Sequence, residues 1–252
     1  GATPENEIDK EETHEAAVKK AAKAASDADP ETDTRKVDVT THDSQKDARE
    51  AVADEARKGF DLLLVGLAST MTENGEFNRE INEAAAGFEG PLALVEAKAE
   101  HIDRPQSSSF RILVPVSGSE VSRRGAEVAI ALARASGWSL HALYVSTTRD
   151  SGGYRTATGA SLFQEESILK DIVSLASRYG VDVVTSIQAN AVPEQAILRE
   201  VLRSRSNLIV MGADRIRSDT LNFGGVASAI LQRSDVSVLL VSGGEPASRS
   251  SR

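Results

Sequence analysis

The chain has 252 residues, 40% apolar but only 4% aromatic, so aliphatic and alanine side chains must build the interior of what the length suits as two domains. The absence of cysteine excludes disulfides and thiolate metal sites, fits a reducing compartment, and no apolar run approaches the ~18–20 residues that cross a bilayer. The charge is acidic overall, which argues against general nucleic-acid binding, but uneven: residues 1–103 carry 12 basic against 25 acidic side chains, and residues 104–252 carry 17 against 13.

The opening GATPENEIDKEETH lacks the pattern of a signal peptide. A helix is expected at about Glu11–Ala25, a strand at Lys36–Thr41, and a helix at Ser44–Lys58 stopped by Gly59. A strand at Asp61–Val65, a helix at about Asn78–Ala86 and a strand at Leu92–Val95 follow. Ala99–Ser109, polar and serine-rich, reads as a linker.

Beyond it, Arg111–Val116 is a short buried strand, and Ser119 can cap a helix that runs to Ser136 and ends at Gly137. Val121, Gly125, Val128, Leu132 and Ala135 fall on one face of that helix. A strand at Trp138–Val145 leads into the polar loop Thr147–Ala160, then a helix at about Leu162–Tyr179 with Ile168, Ile172, Leu175 and Tyr179 as its stripe. The strand Val181–Ile187, a helix opened by Pro193 and running to Ser204, the strand Leu208–Met211, the helix Gly225–Arg233 and the strand Val236–Val241 complete the series. The tail from Gly243, rich in Ser, Gly and Arg, reads as disordered. Strands that alternate with helices and are apolar on both faces imply a doubly wound parallel sheet.

The stretches Asp61–Val95 and Asn207–Val241 align without a gap at an offset of 146 residues, with Gly66 under Gly212, Phe77 under Phe223 and Leu94 under Leu240. The chain therefore reads as two copies of one unit, 1–103 and 104–252. The first copy lacks its opening strand, helix and strand, so the sequence is expected to be a piece of a longer polypeptide.

The four histidines, His14, His42, His101 and His141, fall at no metal-ligand spacing, and no nucleophile elbow or phosphate-binding Gly-Lys-Ser/Thr run occurs. His141 alternates within a strand and reads as a packed or edge residue. The loop from Gly212 to Gly225 is different. It joins the carboxyl end of a buried strand to a helix N-terminus, where open α/β sheets place ligands and where backbone N–H groups attract anions.

The strand entering Met211–Gly212, Gly225 thirteen positions later, the closing VSVLLV and the opening RILVPVSGSE together resemble the universal stress protein family. The likeness covers the second copy and, more weakly, the first from about residue 11. It implies an α/β fold, two repeats packed as a pseudo-dimer, and in many members ATP held by a Gly-x2-Gly-x9-Gly-Ser/Thr loop. Placed on this chain, those loop positions fall on Gly212, Arg215, Gly225 and Val226. The acidic residue that usually follows the first strand falls on Ser117, and the adenine wall on Val145 and Met211. Two readings follow: a decayed site whose glycines survive for tight turns, or a site in which Arg215 and Arg217 contact phosphate themselves. In the first copy Ser69 and Arg79 replace the glycines, and Glu73, Glu76, Glu80 and Glu83 would repel an anion.

Degenerate tandem copies of this kind, with the loop RIRSDTLNFGG, also resemble the cytoplasmic C-terminal regions of bacterial cation/proton antiporters and amino-acid permeases. The expectation is a non-enzymatic regulatory domain of a transporter, first a Na+ or K+/proton antiporter. Its partner would be the transmembrane part of the same polypeptide, at the cytoplasmic side of the inner membrane. The alternative is a free-standing cytosolic universal stress protein that binds ATP, AMP or another anion in the second copy. A homodimer is a further association the resemblance implies. An adenine-nucleotide hydrolase of related fold is a third reading, for which no catalytic group is present.

Overall fold

The computed structural model describes residues 62–67, 79–86, 90–103, 109–146, 159–189, 191–216 and 221–244, with positions 54, 72, 77 and 88. The elements expected at 11–25 and 36–41, the helix expected at 44–58 apart from Asp54, the loop 147–158, Ser69, Glu73, Glu76, Arg217 and the tail from 245 lie outside the described residues.

In chain order the elements are β1 (Leu63–Leu67), α1 (Arg79–Ala86), β2 (Leu92–Glu96), α2 (Glu100–Asp103), β3 (Arg111–Val116), α3 (Glu120–Ser136) and β4 (Ser139–Val145). They continue with α4 (Gly159–Arg178), β5 (Val183–Gln188), α5 (Pro193–Ser204), β6 (Leu208–Gly212), α6 (Gly224–Arg233) and β7 (Ser237–Ser242). The seven strands form one sheet, ordered β1-β2-β7-β6-β3-β4-β5. Every pairing is parallel except β2 with β7, where Leu94 lies opposite Leu240, the residue 146 positions further on. All these elements belong to the compact unit Asp47–Arg252.

The strands are apolar on both sides because helices cover both. Val114, Val116, Ala142 and Tyr144 point to the side where α3 and α4 pack. Leu113, Ile209, Met211 and Leu240 point to the other, with α5, α6 and α1. At the edge, β5 has one neighbour and leaves Val184 exposed.

Local chemistry sets the ends of these elements. Ser119 holds extended geometry and its hydroxyl accepts from the Ser122 amide, 3.2 Å away, so α3 starts where its N–H groups find an acceptor. Gly137 takes the left-handed conformation and donates back to the Ala133 carbonyl. Pro193 opens α5, and a residue without glycine's freedom, Arg205, ends it in the left-handed region at φ 54°.

Three expectations need correction. The buried face of α3 is Ser122, Gly125, Ala126, Ala129, Ile130 and Ala133, so Val121, Val128 and Leu132 flank the contact and Ala135 is exposed. The cause is close approach: a Cβ on Gly125 would strike the backbone of Gly212, and one on Gly212 would strike the Val121 carbonyl. Only small side chains fit beneath a helix that lies this near a strand. Tyr179, expected in the α4 stripe, is half exposed and lies under the Arg134 guanidinium, 5.7 Å from its ring centre. The linker is not wholly irregular either. It contains α2, whose buried His101 stacks on Phe110 at 4.2 Å and bonds through Nδ1 to Ser237 Oγ at 2.6 Å.

Candidate functional site

The positions singled out in the sequence gather at the carboxyl edge of the sheet. β6, β3 and β4 are adjacent parallel strands, and Gly212, Ser117 and Val145 stand at or just past their ends. Met211 and Val145 share one apolar cluster with Val226 of α6, so the two residues matched to an adenine wall do face a common side. Ser117 is exposed, and its Oγ lies 3.0 Å from that of Ser119. A cavity of about 290 Å³ opens beside this turn, between Val116, Gly118 and Ser122 on one flank and Ile168 and Ile172 of α4 on the other.

The segment from Gly212 to α6 has a specific shape. Ile216 N donates to Asn222 O at 2.7 Å, which closes the loop upon itself. Asn222 Oδ1 accepts from the Gly224 amide at 2.7 Å, and Gly224 takes φ 83°, a turn that a side chain would strain. The α6 cap residue, Phe223, makes no side-chain bond to the helix. A Cβ placed on Gly225 would meet nothing within 4 Å. Beyond the Gly224 amide, which Asn222 caps, a side chain at Gly225 would meet none of the described residues, so this helix N-terminus favours negative charge.

Arg215 occupies the position matched to a family glycine. Its Nη1 donates to Phe88 O and its Nη2 to Ala85 O, both at 3.1 Å, across the molecule at the end of α1. The guanidinium is therefore engaged by main-chain carbonyls. Other residues join the same junction; of these the sequence singled out Phe77 and Phe223 but not Asn82 or Lys98. Asn82 of α1 accepts from Leu221 N at 2.7 Å and donates to Phe77 O at 2.9 Å. Phe77 and Phe223 meet edge to face, 5.5 Å between ring centres. In the opposite sense, Lys98 donates to Leu231 O at 3.2 Å and Ser234 O at 2.7 Å, at the carboxyl end of α6. The 146-residue offset that pairs Phe77 with Phe223 was the one sequence signal that pointed here.

A second polar group lies on the α5 side of β4 and β5. His141 Nε2 lies 2.9 Å from Ser186 Oγ and 3.3 Å from Oε1 of the buried Glu200. Gln188 Nε2 donates to Glu200 Oε2 at 3.4 Å, and Arg203 stands 3.7 Å from Oε1. Burial pushes the His141 imidazole below its ordinary 6.5; the Glu200 carboxylate opposes this and Arg203 adds to it. The grouping Ser, His and Glu suggests a triad, but the geometry does not. Acid and hydroxyl approach the same ring nitrogen, whereas proton relay to a serine requires them on opposite ones. Among the described residues no three His, Asp or Glu side chains are placed to hold a metal.

Sheet and crossovers together define an α/β protein with a central, mostly parallel sheet covered by helices on both faces. The universal stress protein family model matches residues 109–242, and the chain belongs to that family. A universal stress protein of Methanocaldococcus jannaschii is 26% identical over 138 residues, 52% of this chain and 81% of the relative. Among solved structures, a universal stress protein from Archaeoglobus fulgidus superposes with a TM-score of 0.53 at 17% identity, over 77% of this chain and 65% of that one. A functionally unknown protein from Pseudomonas aeruginosa gives a TM-score of 0.56 at 15% identity, covering 92% of this chain and 78% of the other. At these identities the structures share the fold. Among the described residues no helix is long and apolar enough to cross a membrane.

Proposed function

We propose that the chain is a non-enzymatic, cytoplasmic stress-response module of two universal stress protein repeats that binds an adenine nucleotide at the carboxyl ends of β3, β4 and β6. The observation that carries this reading is the N-terminus of α6 at Gly225, where Phe223 gives no side-chain cap and a Cβ would meet none of the described residues within 4 Å. A phosphate there would accept from backbone N–H groups and gain from the helix dipole. Val145 and Met211 would line the base, and Ser117 would face the ribose. Family membership supports the nucleotide, and the engagement of Arg215 by α1 leaves the phosphate position clear of its side chain. The regulatory role in a cation/proton antiporter drew on the degenerate tandem copies and on the loop 215–225, of which 217–220 lie outside the described residues, and nothing described adds a membrane partner to it.

Calorimetric titration of ATP and AMP into the whole chain tests the site. Binding in the micromolar range is expected, and no heat at millimolar ATP overturns the reading. Gly225→Glu places a carboxylate at the phosphate position and should abolish binding while leaving α6 intact, since a negative charge suits that helix end. Val226→Ser restores a hydroxyl donor and should tighten ATP by about tenfold, the worth of one hydrogen bond to a charged group. Unchanged affinity in Gly225→Glu would remove the phosphate from this helix.

A further inference from the structure

The loop matched to phosphate binding is held from outside its own repeat. Three of its residues, Arg215, Leu221 and Phe223, reach the segment around α1 through separate contacts: two carbonyls, the Asn82 side chain and the Phe77 ring. They span the loop from its start to the residue before α6. The segment supplying the contacts lies 127 to 146 positions earlier in the chain.

The chemistry explains why Arg215 is drawn there. The last carbonyls of a helix have no partner within it and carry partial negative charge. α1 is only eight residues long and has no basic side chain in its last turn. Arg215 provides both missing elements, a positive charge and two N–H donors in a fixed fork. Lys98 does the reciprocal service at the end of α6. Each half of the sheet thus receives from the other the cation at the carboxyl end of the helix flanking the β2–β7 pair.

We propose that the α1 segment is a built-in positioning element for the two described flanks of the Gly212–Gly225 loop, residues 212–216 and 221–225, with Arg215 and Asn82 as its positioning residues. At the place where the family's nucleotide-binding members have a glycine, this chain has exchanged backbone mobility for a tether to its other repeat. When the tether is closed, the loop stands ready at the N-terminus of α6. When it is open, a ligand must hold residues 212–216 and 221–225 in place as it binds, and affinity falls. An event that moves α1 therefore alters the site without touching it. The effect on affinity rests on the nucleotide reading above, whereas the tether itself does not.

Two measurements on the full chain separate these claims. Amide hydrogen exchange reads the tether with no ligand present: Asn82→Ala should speed exchange of the Leu221 amide at least tenfold. Arg215→Ala should raise exchange at Leu221 as well, although it makes none of that amide's bonds. Asn82→Asp keeps the acceptor for the Leu221 amide while losing the donor to Phe77 O, and should keep most of the protection at Leu221. ATP titration of the same variants should show affinity reduced about tenfold in Asn82→Ala, which carries no charge and lies outside the loop, with little change in Asp. If Leu221 exchange is unmoved in both alanine variants, the tether is overturned. If exchange rises while ATP affinity stays constant, control of the site is overturned. Failure of the unmodified chain to bind ATP removes the nucleotide reading and leaves the exchange result to judge the tether.

Discussion

His141 illustrates how one buried residue makes stability depend on pH. Its imidazole is held below 6.5 in the folded chain, chiefly by burial, while the unfolded chain keeps the ordinary value. Between the two values the unfolded state binds the extra proton, so stability rises with pH through that window and is lost as pH falls below about 6.5. Urea midpoints at pH 7.5 and 5.5 should therefore differ less in His141→Gln than in the unmodified chain, and an equal difference would exclude His141 as the source. Carboxylates other than Glu200 add to both chains alike, so the comparison isolates His141 with its Glu200 partner. In the sequence, alternation alone placed His141 as a packed strand residue; its partner Glu200 was invisible because 59 positions separate them. The contacts of Arg215 were hidden for the same reason. Seen along the chain it stands beside glycines and looks like an obstruction or a phosphate ligand. Its carbonyl partners, 127 and 130 positions away, determine where it points.

At the scale of elements, the punctuation was legible and the buried faces less so. Ser119, Gly137 and Pro193 mark helix ends because capping is decided by neighbours a few residues away. The face of α3 was displaced by about one residue, since apolar size was taken as the guide to burial. The contact instead selects for smallness, with Gly125 lying against Gly212. Gly125→Ala should accordingly destabilise the fold by about 1–3 kcal/mol, even though alanine is the better helix former. Urea unfolding followed by Trp138 fluorescence would read it. A gain in stability would mean that α3 can lift from β6 without cost. α2 was missed because four residues carry no periodic signal. It is specified by the stack of His101 on Phe110, which in turn lies 3.8 Å from Trp138.

At the scale of the molecule, the alternation of strands and helices was enough to indicate a parallel sheet, and the internal offset pointed to the residues that meet at β2 and β7. What the sequence did not disclose was that one continuous sheet runs through both halves. Leu94, fully buried and paired with Leu240, sits at that junction. Leu94→Ala should cost about 2–5 kcal/mol. The loss should appear in the transition reported by Trp138, on the far side of the sheet's one antiparallel pairing, if the strands unfold together; a Trp138 midpoint that does not move would show two independent units. The same strand order bears on synthesis. β7, the last described strand to be made, lies inside the sheet and is the only one bonded to both β2 and β6. Leu92 emerges 145 residues before Ser237. At roughly 5–20 residues per second, translation leaves the β7-facing edge of β2 without that partner for roughly 7–30 s. During that interval the edge is open to chaperones, and to β7 of a neighbouring chain that has already been finished.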